Sequence, residues 1–148
     1  MATTREEKSN SRLMQLFAPA LVGADQANIA AIDVSGFESV LVIANIGAAG
    51  DDLNQNNYIE IELEESDNNV DFTHCSDESM QDAVAGTNTG TIAHLEAIDG
   101  AGISIMAAYK GQMRYIRPVI RMTGNHGTGT IIGVSAILRG TKYRPVAA

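Results

Sequence analysis

From residue 28 onward the chain is written in short apolar runs separated by Gly, Asp and Asn, and no long helical period appears. The cleanest run is Tyr58–Glu65, where Ile59, Ile61 and Leu63 alternate with Glu60, Glu62 and Glu64. A period of two sends the aliphatic side chains to one face and the carboxylates to the other, as in a half-buried antiparallel strand. Phe37–Ile46 is the strongest apolar run, with β-branched Val40, Val42, Ile43 and Ile46. Strands are also expected over Asn28–Val34, Val70–Cys75, Thr89–Ile98 and Ile103–Tyr109. Met113–Thr123 and Thr128–Arg139 read as a hairpin around Gly124–Gly127. Gly47–Asn57 reads as a polar loop, and Asp77–Ala85 as one helical turn capped by Ser76 or Asp77. About eight strands at this spacing predict an all-β domain, a jelly-roll-like or Greek-key β-sandwich, rather than a βαβ fold.

The chain has 148 residues, which is about one domain and enough for a core without staples. With no Trp and 5% aromatic residues, that core must be aliphatic. A single cysteine, Cys75, excludes an internal disulfide framework and is compatible with a reducing cytoplasm. The first twenty residues are too charged for a signal peptide, and no apolar run is long enough to span a bilayer. Residues 1–20 are expected to form an N-terminal arm, and residues 21–148 a single sandwich domain. Within the arm, Leu13, Met14, Leu16 and Phe17 cluster at helix-like spacing. They pack on their own domain as one helical turn, or they reach a neighbouring subunit.

Charge is distributed unevenly. All eighteen Asp and Glu lie in residues 1–109, beside three basic residues, giving −15. Residues 110–148 hold seven basic residues and no acid, giving +7 within a net charge of −8. Either two faces of opposite sign meet a partner, or the charges neutralise one another within one sheet. In a strand, Tyr115, Arg117, Val119 and Arg121 share one side, and Arg114, Ile116, Pro118 and Ile120 the other. Arg117 and Arg121 are placed to cross-pair with the Glu60/Glu62/Glu64 face, in the same subunit or a neighbour. Pro118 donates no ladder hydrogen bond, which predicts an edge strand or a bulge there.

No constellation carries chemistry. Asp51–Asn57 is rich in oxygen ligands, but an EF-hand count from Asp52 puts Asn57 where Gly is required and Leu63 where Glu is required. His74 and Cys75 lie far in sequence from His94 and His126, so no zinc spacing exists. Cys75 reads as a small buried residue. Ser35 and Ser135 stand outside any nucleophile elbow. The glycines of 124–133 lack the Gly-Lys-Ser/Thr ending of a phosphate loop. Expectation is therefore no catalytic, cofactor-binding or metal-ligating residue, and no enzyme. The acidic balance speaks against nonspecific nucleic-acid binding, and the Arg row lacks an aromatic platform beyond Tyr109 and Tyr115.

The C-terminal third carries a resemblance. Tyr109-Lys110-Gly111-Gln112-Met113-Arg114-Tyr115-Ile116-Arg117, two β runs about a Gly/Thr turn, and Arg139-Gly140-Thr141-Lys142-Tyr143-Arg144-Pro145 resemble small structural proteins of tailed bacteriophages. That group includes the capsid cement (decoration, auxiliary head) proteins, some with jelly-roll-like folds. The resemblance covers about a quarter of the chain and brings no catalytic residues with it. It implies a protein made in the bacterial cytoplasm and resident on the virion. There it would bind the outside of the head and bridge major capsid protein subunits, as a dimer or trimer. The expected contact residues are Leu13, Met14, Leu16 and Phe17 in the arm, with Arg114, Arg117 and Arg121. Two other classes are open. A fibre-associated or host-glycan-binding sandwich would need aromatic stacking surfaces, which are scarce here. A cupin-like enzyme would need clustered His and carboxylate ligands.

Overall fold

The computed structural model describes residues 8–97 and 102–141. Residues 1–7 of the expected arm, Ile98 at the end of an expected strand, and Lys142–Pro145 of the phage-like segment lie outside them. Ten strands are present among the described residues: β1 (Ser11–Val22), β2 (Ile32–Asp33), β3 (Phe37–Ile46), β4 (Tyr58–Ser66), β5 (Thr73–His74), β6 (Met80–Gln81), β7 (Ala93–Leu95), β8 (Ile103–Tyr109), β9 (Tyr115–Thr123) and β10 (Thr130–Thr141). They form two antiparallel sheets. Sheet I runs β1-β10-β3-β8-β6; sheet II runs β2-β9-β4-β5, with β7 also paired to β4.

The pairing is nested. The first strand pairs the last, β1 with β10; then β2 pairs β9, β3 pairs β8, and β4 pairs β7. A chain folded as one long hairpin and wound into two layers gives this order, which is the jelly-roll sandwich. Eight strands carry the pattern. β5 and β6 are two-residue additions to the sheet margins.

Alternation then fills the interior. Val40, Val42, Ala44 and Ile46 of β3 and Ile132, Val134, Ala136 and Leu138 of β10 point inward from sheet I. Ile59, Ile61 and Leu63 of β4 and Ile116 and Ile120 of β9 meet them from sheet II, all fully buried. Each such Val, Ile or Leu side chain contributes about 1.5–3 kcal/mol on burial, so a nearly ring-free core suffices.

Several expectations are corrected by this topology. The segments around Gly124–Gly127 do not form a hairpin: β9 belongs to sheet II and β10 to sheet I, so the connection arches across the core. Gly124 sits at φ 93°, where a Cβ would collide with Asn57, and the Asp51 carboxylate accepts the Thr128 and Gly129 amides. Turn residues fix where the chain reverses, not which sheet it returns to.

β9 is not an edge strand either, since β2 and β4 flank it. The Ile120 amide and carbonyl bond Gln26, so even-numbered residues of β9 face the β2 side. Pro118 therefore puts its missing donor into the gap between the Ile32–Ile116 pair and the Gln26–Ile120 bridge. The cluster at 13–17 is strand, not helical turn, and the expected boundary at residue 20 falls inside β1. The turn at 77–85 shortens to a 3-10 turn over Asp77–Ser79 with no side-chain cap from Ser76. Asp77 instead accepts the Gly86 and Asn88 amides and closes the loop behind it.

Candidate interaction surfaces

The outer faces of the two sheets differ in kind. On sheet II, β4 and β9 set Glu60 opposite Arg121, Glu62 opposite Val119 and Glu64 opposite Arg117. Arg117 Nε donates to Glu64 Oε2 at 2.7 Å, and Arg121 Nε donates diagonally to Glu62 Oε2 at 2.9 Å. The Glu62 hydrogen bond raises Arg121 above the ordinary guanidinium value. Arg114, beyond the strand end, donates to Asp33 at 2.8 Å and holds that carboxyl at about 2. All three arginines expected to contact a partner are thus engaged by carboxylates of their own chain. For these residues the charge split closes within one subunit.

The same face carries two histidines and two rings. His94 lies between Glu60, 3.1 Å from its Nδ1, and Glu96, 3.0 Å from its Nε2. Its ring packs on Tyr58 at 4.7 Å between centroids. His74 Nδ1 is 3.6 Å from Glu62. The Arg117 guanidinium lies 3.8 Å over the Phe72 ring. Hydrogen bonds to Glu96 and then Glu60 raise the pKa of His94. A raised folded-state value means its stabilising contribution is complete below about 6.5 and is lost as pH rises through the folded pKa. Thermal unfolding followed from pH 6 to 8 is expected to show this loss in the wild type and not in His94→Asn.

Sheet I presents the opposite surface. Register places Leu13, Ile137, Leu41 and Ala108 in one row across four strands, and Gln15, Ser135, Ile43 and Met106 in the next. Neither row contains a charge. Leu13 is 71% exposed, Leu21 66%, Met106 61% and Ile131 56%. Two irregularities in β1, between Gln15 and Phe17 and between Phe17 and Ala20, carry Pro19 over Gly133, where a Cβ would meet the proline ring at 2.9 Å. A shallow hollow of about 400 Å³ opens beside it, lined by Pro19, Asn45, Ile103 and Ile131 among others.

Of the four arm residues singled out by spacing, Leu13 stands exposed on this surface, and Phe17 lines a hollow there with Leu13, Gln15, Pro19 and Ser135. Leu16 is in the core, and Met14 and Phe17 pack partly buried against it. Sequence reasoning missed Leu21, Met106 and Ile131. The signal was in β3, which is apolar at Leu41 and Ile43 as well as at Val40, Val42 and Ala44. A strand apolar on both faces, in a domain with one core, exposes one of them.

The remaining candidates resolve into structural roles. His74 and Cys75 point to opposite sides, and burial followed by Glu65 pushes the Cys75 thiol far up, which leaves it inert. Glu65 is buried and accepts the Tyr109 hydroxyl at 2.6 Å. In the oxygen-rich loop, Asp51 and Asn54 spend their oxygens on backbone amides. Among the described residues no group of three or more His, Cys, Asp or Glu could hold a metal ion.

No protein-family model and no curated protein matches the chain. Among solved structures it is similar to the N-terminal CBM22-1-GH10 modules of a Clostridium thermocellum endo-1,4-beta-D-xylanase 10B complexed with xylohexaose. The TM-score is 0.42 at 12% identity, over 92% of this chain and 27% of that one. This chain therefore spans about a quarter of that protein's length.

Proposed function

We propose that the chain is an auxiliary capsid (cement) protein. It lays the outer face of sheet I on the outside of a phage head and bridges neighbouring major capsid protein subunits. The observation that carries this reading is the apolar stretch of that face: Leu13, Leu21, Met106 and Ile131 stand exposed beside two charge-free rows, with Arg139 in the row beyond, in a chain of net charge −8. Depletion of charge with retention of aliphatic and Met side chains is the signature of an interface core. The phage-like pattern of the C-terminal third supports a capsid shell as the partner. A shell offers many equivalent sites, so weak single contacts add up. A glycan-binding reading lacks an open stacking platform on sheet II, because Tyr58 packs on His94 and Phe72 lies under Arg117.

Co-sedimentation with DNA-free heads of the encoding virus tests the proposal. Leu13→Glu combined with Ile131→Glu is expected to weaken binding at least tenfold, with circular dichroism unchanged because neither side chain enters the core. Wild-type binding is expected to survive high salt, since the two central rows hold no charge and Arg114, Arg117 and Arg121 are already paired. Unchanged binding by the double variant would remove this face from the proposal.

A further inference from the structure

β1 has a second consequence. It is the edge of sheet I, twelve residues long, and among the described residues no strand pairs its outer side. Its outward groups can be identified. The Gly47 amide donates to the Ile131 carbonyl at 2.7 Å, so odd-numbered residues of β10 turn their peptide groups toward β3. Even-numbered ones turn toward β1, which makes Arg12 and Met14, opposite Leu138 and Ala136, the residues bonded to β10. Ser11, Leu13 and Gln15 therefore aim their N–H and C=O groups away from the sheet.

Protein edges are normally guarded by charge, proline, bulges or brevity. Here the guards are confined to the second half of the strand, where the irregularities and Pro19 lie. Ser11–Gln15 is regular, and its one charge, Arg12, has its peptide groups on the β10 side. No acidic residue occurs between Glu7 and Asp25, so two copies of an acidic chain can meet here without opposing carboxylates.

We propose that two copies pair antiparallel through Ser11–Gln15 about a two-fold axis at Leu13. Leu13 would face Leu13 of the other copy, and Ser11 would face Gln15, with roughly six main-chain hydrogen bonds closing the edge. An edge strand turned through a two-fold is its own complement, which favours a copy over an unrelated segment. The axis stands perpendicular to the sheet. Both outer faces of sheet I therefore point the same way and form one apolar surface of double width, with both ionic faces of sheet II on the far side. The inference extends the proposed function but uses different atoms: main-chain groups of the edge rather than side chains of the face.

Sedimentation equilibrium and amide hydrogen exchange on the full chain test it. Expected are a species of twice 15.7 kDa and Leu13 and Gln15 amides that exchange at least ~100-fold more slowly in the dimer than after dilution. Gln15→Pro removes an outward N–H and no bond within the subunit, and is expected to weaken dimerisation at least ~100-fold. A wild-type monomer at all concentrations, or a dimer whose Leu13 and Gln15 amides exchange freely, would overturn the inference. Because exchange is read on the wild type, a poorly folding proline variant does not rescue it. A monomer that still binds heads would sink the dimer alone. A protected dimer that ignores heads would sink the capsid reading alone.

Discussion

Replacing Ile61 by alanine is expected to destabilise the protein by about 3–4 kcal/mol, while the same replacement at Ile43 costs under ~1 kcal/mol. Ile61 is fully buried, with Ile120 and Ala93 beside it on the flanking strands, and the far sheet closes over them. Removing three carbons there leaves a cavity that two stiff sheets cannot collapse, and with few rings in the chain no large side chain is at hand to swing in. Ile43 points the other way, into the Met106 and Ser135 row, half-exposed. Its loss opens onto solvent. Denaturant midpoints at constant slope measure both, and the Ile61 variant should lose about 10 °C in melting temperature. Equal costs at the two sites would mean that the inner and outer faces have been assigned the wrong way round.

That contrast is also the part of the fold that period-two alternation made legible. Phe37–Ile46 and Ile103–Tyr109 match β3 and β8 at both ends, and Tyr58–Glu65 matches β4 to within a residue. The arch between β9 and β10 was not legible. Gly124 and its neighbours mark a reversal with equal strength whether the strands pair or part. What decides is that β10 already has two partners, β1 and β3, from distant parts of the chain. β1 itself was obscured because Leu13, Met14, Leu16 and Phe17 fit a helical spacing as well as a bulged strand. The bulges after Gln15 break the period that would have told them apart. β5 and β6 are too short to leave any periodic trace.

The surfaces divide in the same way. The Glu60/Glu62/Glu64 row and the Arg117/Arg121 row were visible as rows, because side-chain facing follows from local alternation. Whether they meet in one subunit depends on the register between segments more than fifty residues apart, which local sequence does not encode. The apolar face of sheet I needed the same long-range information. Leu13, Leu41, Ile137 and Ala108 become neighbours only through three separate pairings. Burial of Glu62 follows from the same geometry and was not readable in a strand that alternates as cleanly as β4.

Arg121→Met is expected to cost about 2–3 kcal/mol, although Arg121 itself is 39% exposed. The cost lies with its partner. Glu62 is only 5% exposed, and Arg121 supplies its one strong hydrogen bond; His74, at 3.6 Å, gives a charge only when protonated. Without the guanidinium the carboxylate remains desolvated and uncompensated. Arg114→Met, which breaks a solvent-exposed pair with Asp33, should cost far less than Arg121→Met. Combining Arg121→Met with Glu62→Leu should recover most of the loss, because an apolar pair across β4 and β9 replaces a charge pair whose desolvation offsets much of its attraction. A double-mutant cycle from urea unfolding separates the cases. A loss below about 0.5 kcal/mol for Arg121→Met would mean that Glu62 retains its water. In that event the ionic face of sheet II would be open to a partner, and the opposed charges of the two halves of the chain would again be available for contacts between subunits.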